Sequence, residues 1–168
     1  MCIDIPDKLC DVGFASGLVE AYFAEDTAGR ARYSGAYFER LGGGGDRPEV
    51  AYQFTAEDLL AVSMLGVPVV GHYALHVLNY GAAEFSSLLA RIPPDVRLAD
   101  PEAGDLIAED GPAWTLWQGL HDVKPPPGGN RLGRVAAGKL LARKRPHLVP
   151  VYDSRVEEVL GRAGVHGT

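Results

Sequence analysis

The sequence predicts an all-α protein, mainly helical with at most one small strand pair, folded as a single compact domain over residues 1–168. Through most of the chain, apolar residues recur at spacings of three and four, which is the pattern of amphipathic helices. The 168 residues are 46% hydrophobic and 23% charged, so one packed core can form without a disulfide or a metal. Glycine and proline clusters at 42–48 and 125–129 interrupt the pattern and are predicted as flexible loops.

The first predicted elements lie on either side of the glycine cluster. A helix is expected over about 15–25, because its large apolar residues share one face. These residues are Leu18, Val19, Tyr22 and Phe23. A small strand is expected near 50–54. Thr55 and Asp58 then have the spacing of a capping box directly before the apolar run 59–65, so a buried helix is predicted there.

The middle of the chain predicts further helices between short links. Residues 67–70 fit a short strand or an extended link, and the segment 71–80 that follows is predicted to be helical. A helix over 81–91 must end before the prolines at 93–94, since a proline cannot continue it. Another helix, around 114–120, is expected to stop before the proline cluster.

The last predicted region is a basic helix-turn-helix segment over 124–160. Its first helix has an apolar face beginning at Leu132, with small residues at 136–138 that permit close approach of a neighbouring helix. A proline-bounded turn follows. The second helix begins after Tyr152, with Asp153 or Ser154 as its N-cap.

Charge is distributed unevenly along this chain. Residues 124–155 carry eight basic side chains and one acidic one, a net +7, while the remainder carries −13. The eight are Lys124, Arg131, Arg134, Lys139, Arg143, Lys144, Arg145 and Arg155. Such segregation indicates an anionic partner, and nucleic acid is the commonest one. The alternatives are a solvated helix face, pairing with the chain's own acidic stretch 95–122, or an acidic protein partner.

The motif KRPHLVPVYDS, which ends at Ser154, resembles the signature of an uncharacterised bacterial family of unknown function. The similarity runs from about Tyr33 to Leu160. This resemblance implies no established activity.

A second, weaker similarity is to the helix-hairpin-helix DNA glycosylases. Gly133 matches the second hairpin glycine, 134–137 match the start of the following helix, and Asp153 matches the catalytic aspartate. The resemblance implies that Asp153 stabilises positive charge on the sugar as an extruded base leaves. It also implies an anion-binding set at the hairpin and along the following segment. That set is Arg131, Gly133, Arg134, Arg143, Lys144, Arg145 and Arg155.

The sequence departs from the glycosylase pattern in three places. Arg131 replaces the first hairpin glycine, Val135 occupies the position of a lyase-type lysine, and the two cysteines cannot form a four-cysteine iron–sulfur site. These departures argue against a combined glycosylase and lyase activity. The alternative role of Asp153 is that of a helix cap alone. Lys139 is a second catalytic candidate if its ammonium approaches Asp153 or Tyr152 and acquires a perturbed pKa. The alternative, that Lys139 extends its ammonium to water, is favoured.

Other polar residues predict no metal or cofactor. His72 and His76 have a spacing that can hold a metal, but their apolar neighbours favour ordinary histidines in a buried helix. A small-molecule enzyme using His121, Asp122 or Tyr152 remains an alternative, because whether the chain is an enzyme is left open by the sequence.

The sequence also bears on where the protein resides. No signal peptide and no membrane-spanning run is recognised, and Cys2 and Cys10 are expected to be free thiols. A cytoplasmic location is therefore expected.

Overall fold

The computed structural model of the protein describes residues 6–69, 71–124 and 132–159. Over these ranges the backbone consists of helices and turns, with one isolated antiparallel bridge between Glu25 and Ala31. The all-α prediction is confirmed. The small strand expected over 50–54 is wrong, because this stretch forms turns whose carbonyls at Val50 and Ala51 accept hydrogen bonds from buried cations.

The helices in chain order are α1 (Asp7–Cys10), α2 (Val12–Phe23), α3 (Ala56–Met64), α4 (Gly71–Leu75), α5 (Ala82–Leu89), α6 (Ala103–Ile107), α7 (Pro112–His121), α8 (Arg134–Lys144) and α9 (Ser154–Val159). Short 3-10 turns occupy Ser34–Tyr37 and Leu41–Gly43, and a π-helical turn occupies His76–Tyr80. Residues 67–69 form neither a helix nor a strand, so of the two alternatives for this stretch the short strand is wrong there and a link is present. None of the described helices has the length and apolar run needed to cross a bilayer.

The chain divides into two compact units. The smaller one contains residues up to 36 and from 152 onward, and thus α1, α2 and α9. Its helix α2 begins three residues before the predicted start because the Asp11 carboxylate accepts hydrogen bonds from the amides of Gly13 and Phe14. None of the side chains of α2 is buried.

The larger unit, residues 37–151, contains the hydrophobic core. Helix α8 packs against α3 and α7, and α7 packs in turn against α5 and α6. The predicted capping box is confirmed: the Asp58 amide donates to Thr55 Oγ1 at 3.4 Å, and the Thr55 amide donates to Asp58 Oδ2 at 2.9 Å. On α3, Leu59 and Val62 are buried as expected, whereas Leu60 is exposed.

Candidate functional site

The basic triplet Arg143, Lys144 and Arg145 lies in the interior of the larger unit. None of the three residues is more than 1% exposed. The expectation that they follow a nucleic-acid backbone is therefore wrong, because side chains enclosed by protein cannot reach a phosphate on a bound strand. They occupy the C-terminal end of α8, where it packs against α3.

One carboxylate serves the first two members of the triplet. Asp58 Oδ1 accepts from Arg143 Nε at 3.2 Å, and Asp58 Oδ2 lies 2.7 Å from Lys144 Nζ. The carboxylate is itself buried. The acidic partner of these two cations is thus Asp58 on α3, and the alternative of pairing with 95–122 is wrong for them.

Backbone carbonyls satisfy the remaining donors of the triplet. Arg143 donates to the carbonyls of residues 38, 39 and 41, and Lys144 donates to those of residues 45 and 50. Arg145 donates to the carbonyls of residues 51, 89, 92 and 144. A buried cation needs such acceptors, because leaving water without them costs several kcal/mol or more. The triplet therefore joins α8 to the backbone of three other stretches of the chain, 38–41, 45–51 and 89–92.

Burial changes the ionisation of two members of the triplet. It lowers the pKa of the Lys144 ammonium, and the charge and hydrogen bond of Asp58 oppose that shift. It also lowers the pKa of the Arg145 guanidinium to about 10, against the attraction of Tyr52 and Asp46. Arg145 consequently remains charged at neutral pH.

Burial of these side chains changes the charge that the molecule presents to solvent. Lys139, Arg143, Lys144 and Arg145 are buried together with Asp58, and they carry a net +3. Of the total charge of −6, the rest of the chain therefore carries −9. On the same basis, the net charge that residues 124–155 present to solvent falls from +7 to +3. Burial thus also removes half of the cations that an acidic protein partner would contact.

Lys139 is enclosed as well, so its expected extension to water is wrong. It is 3% exposed, and its Nζ donates to the Leu65 carbonyl at 3.1 Å. The hydrogen bond explains the difference, because the acceptor lies at the end of α3, within reach of the lysine stem. Lys139 is thus one of the contacts between α8 and the end of α3.

Asp153 is the N-cap of α9. Its Oδ1 accepts from the amides of Arg155 at 3.1 Å and Val156 at 3.3 Å, so the predicted capping role is confirmed. Arg155, from the predicted anion-binding set, is exposed and pairs with Glu158 at 3.2 Å. Both residues belong to the smaller unit, whereas α8 belongs to the larger one.

Replacing Asp153 with alanine should destabilise the first turn of α9 by about 1 kcal/mol, because two amides lose their acceptor. We expect amide hydrogen exchange at Arg155 and Val156 to become about fivefold faster. The matched control is Asp153→Asn, which keeps an oxygen in the capping position and should exchange at nearly the wild-type rate. If amide exchange were accelerated equally in both variants, the capping role would be contradicted, and the charge of Asp153 would be what stabilises the first turn of α9.

The start of α8 is the part of the predicted anion-binding set that reaches the surface. Gly133 is the N-cap of α8 without a capping side chain, and Arg134 is exposed. The Arg134 guanidinium lies 5.6 Å from the centre of the Trp117 ring, and the Arg134 carbonyl accepts from Trp117 Nε1 at 3.2 Å. Leu132, directly before, donates its amide to the Tyr73 hydroxyl. Arg131 lies outside the described residues.

Three aromatic rings are stacked beside Arg134 along α7, and we call them the aromatic ladder. Trp114 stacks on Trp117 with ring centres 5.1 Å apart, and His121 lies parallel to Trp117 at 5.3 Å. All three residues are half-buried. His121 Nδ1 lies 3.0 Å from Asp122 Oδ1, and this contact orients the ring. The sequence predicted a helix over this region, but it did not predict that the three rings stack.

The remaining histidine pair, His72 and His76, lies in a helical segment of the larger unit. His72 lies in α4 and His76 in the π-helical turn, and His76 packs its ring against Phe85. The described part of the chain contains no group of three or more His, Cys, Asp or Glu side chains placed to hold a metal. Tyr152 is exposed in the smaller unit, while His121 and Asp122 lie in the larger one.

Comparison with known proteins gives one relationship. No curated protein and no solved structure matches the chain, so the similarity to hairpin glycosylases stays a prediction. A family model matches residues 15–167, which is nearly the whole chain and includes the KRPHLVPVYDS segment. The chain belongs to a family of unknown function, DUF6308.

Proposed function

We propose that this protein binds single-stranded nucleic acid through the aromatic ladder and Arg134. The observation that carries the proposal is the stack of Trp114, Trp117 and His121 next to an exposed guanidinium at the start of α8. A base can extend the stack at its end rings, while Arg134 and the uncapped amides of α8 attract the adjoining phosphate.

Stacking favours single strands over a duplex. In a duplex the faces of the bases are already covered, whereas an unpaired base can lie on an aromatic ring and gain roughly 1–3 kcal/mol. Every base has such a face, so the proposal predicts little sequence preference. The proposed function is binding without catalysis, and Asp153 serves only as a helix cap.

The charge of the surface also favours binding of single strands over duplexes. With −9 on the part of the chain outside the buried cluster, a long duplex would meet repulsion over most of the molecule. Arg134, with Arg131 and Lys124 close by in sequence, would neutralise about one to three phosphates. The logarithm of the binding constant should then fall with the logarithm of salt with a slope of only about −1 to −2.

The two tryptophans provide a direct measurement, because Trp114 and Trp117 are the only two in the chain. Titration with short single-stranded oligonucleotides, from about 50 to 200 mM salt, should quench their fluorescence as a base stacks on the ladder. Fluorescence anisotropy of labelled single and double strands measures affinity in parallel. We expect single strands to bind at least about tenfold more tightly than duplexes of equal length.

Two variants test the contact surface. Arg134→Glu reverses an exposed charge and His121→Ala removes the end ring of the stack, and each should weaken binding about tenfold. Arg91→Glu is the matched control, since Arg91 is also an exposed cation of the larger unit and does not adjoin the ladder. Absence of quenching at 50 mM salt, or equal binding by the Arg134 and Arg91 variants, would contradict the proposal.

A further inference from the structure

A second candidate site lies in the larger unit, in an open pocket of about 400 Å³. This volume is within the range of small-molecule sites, about 300–1,000 Å³. The pocket is lined by Asp46, Pro48, Pro94, Asp95, Arg97 and His147. It does not include any residue of the aromatic ladder.

Buried Arg145 fixes the walls of this pocket. Its guanidinium donates to the Ala51 carbonyl at 2.9 Å and to the Ile92 carbonyl at 2.6 Å, which holds the two stretches that carry the prolines and aspartates. Arg145 is also two residues before His147, whose carbonyl accepts from the Leu98 amide at 2.9 Å. Three separate chain segments therefore meet at the pocket in a fixed arrangement.

Charges of both signs line the pocket. Asp46 and Asp95 are carboxylates, while Arg97 is a cation and His147 is a base that can donate a hydrogen bond. None of these four side chains forms an ion pair within the described residues. Asp95, Arg97 and His147 are exposed and Asp46 is half-buried, so a ligand can reach them.

We propose that this pocket binds a small zwitterion of the α-amino-acid class. Its carboxylate would accept hydrogen bonds from Arg97 and His147, and its ammonium would donate to Asp46 and Asp95. A ligand with a single charge would pair with one set of these groups and leave the groups of its own sign unpaired and partly desolvated, which selects against such a ligand. The acidic exterior further favours an amino acid with a cationic side chain.

The test uses L-arginine as the probe and the ring signals of His147 as the reporter. The ring resonances of labelled protein are assigned through their loss in His147→Gln, and L-arginine should then shift them saturably at millimolar concentration. Two analogues each remove one charge of L-arginine: agmatine lacks the carboxylate, and 5-guanidinopentanoate lacks the α-ammonium. Each should bind at least about tenfold more weakly than L-arginine.

Variants of exposed residues keep this test independent of folding. Asp95→Asn and Arg97→Gln should each weaken the binding of L-arginine about tenfold, whereas Asp105→Asn, an exposed carboxylate on α6, should leave it unchanged. The proposal is overturned if the His147 signals do not shift saturably, or if both analogues bind as L-arginine does. It is equally overturned if binding survives in the Asp95 and Arg97 variants.

Discussion

Replacing Asp58 with alanine is expected to lower the free energy of unfolding by about 3–5 kcal/mol. Asp58 is the carboxylate shared by Arg143 and Lys144, and all three side chains are at most 1% exposed. Without Asp58, two buried cations would have only carbonyl dipoles as partners. The expected loss of stability is large because the cost of burying the two cations remains after their attraction to Asp58 is removed.

Asp58 has a second role that adds to the effect. Its Oδ2 accepts from the Thr55 amide as part of the capping box of α3, a contact that contributes about 1 kcal/mol. Asp58→Asn separates the two roles, because an asparagine oxygen can still accept from Thr55 but carries no charge for Arg143 and Lys144. We expect Asp58→Asn to lose most, but not all, of the stability that Asp58→Ala loses.

Urea unfolding followed by the fluorescence of the two tryptophans measures these changes, since both tryptophans lie in the larger unit with Asp58. Asp105→Asn, an exposed carboxylate in the first turn of α6, is the control and should change the free energy of unfolding by less than about 0.5 kcal/mol. If Asp58→Ala were no more destabilising than Asp105→Asn, the triplet would have to be solvated.

The sequence predicts the helices better than it predicts the site, for a reason visible in α3 and α8. The capping box at Thr55 is a local signal, because donor and acceptor are three residues apart, and the structure has it as expected. The triplet is a non-local feature, since Arg143 meets an aspartate 85 residues away and carbonyls more than 100 residues away. Nothing in the neighbouring sequence encodes those partners.

A signal for the burial of the triplet was nevertheless present in α8. Ala136, Leu140 and Arg143 follow at spacings of four and three, and Lys144 continues the same kind of stripe from Ala137 and Leu141. Charged residues at positions that continue an apolar stripe should be read as candidates for buried pairing. Local sequence favours an exposed basic face for such a run, because Lys and Arg are so rarely enclosed.

The aromatic ladder could be predicted only in part. The spacing of Trp114 and Trp117 places them on one face of α7, and His121 follows at four residues, so a shared face is implied. Stacking of the rings and the position of Arg134 over Trp117 depend on how α8 packs on α7, which no local pattern fixes. The pocket at His147 is still less visible, since three distant segments form it.

The second large effect is expected at Gly45, the last residue of the four-glycine loop. Adding one methyl group there, as in Gly45→Ala, should lower the free energy of unfolding by about 3 kcal/mol or more. A Cβ at this position would overlap the Arg143 carbonyl oxygen and lie 2.9 Å from Asp58 Oδ1. Neither atom can move away easily, because the first is helix backbone and the second is held by Arg143 Nε.

Position 45 therefore requires a glycine because the loop packs closely against α8, and not because the loop must be flexible. The Gly45 carbonyl also accepts from Lys144 Nζ at 2.8 Å, so a displaced loop would leave a buried ammonium without one of its acceptors. The same urea experiment measures the change, with Gly104→Ala as its control. Gly104 lies inside α6 with open space around its Cα, and alanine there should stabilise the protein by about 0.5–1 kcal/mol. Similar effects of the two substitutions would mean that the loop does not pack on the triplet, and the placement of Arg143 and Lys144 would have to be abandoned.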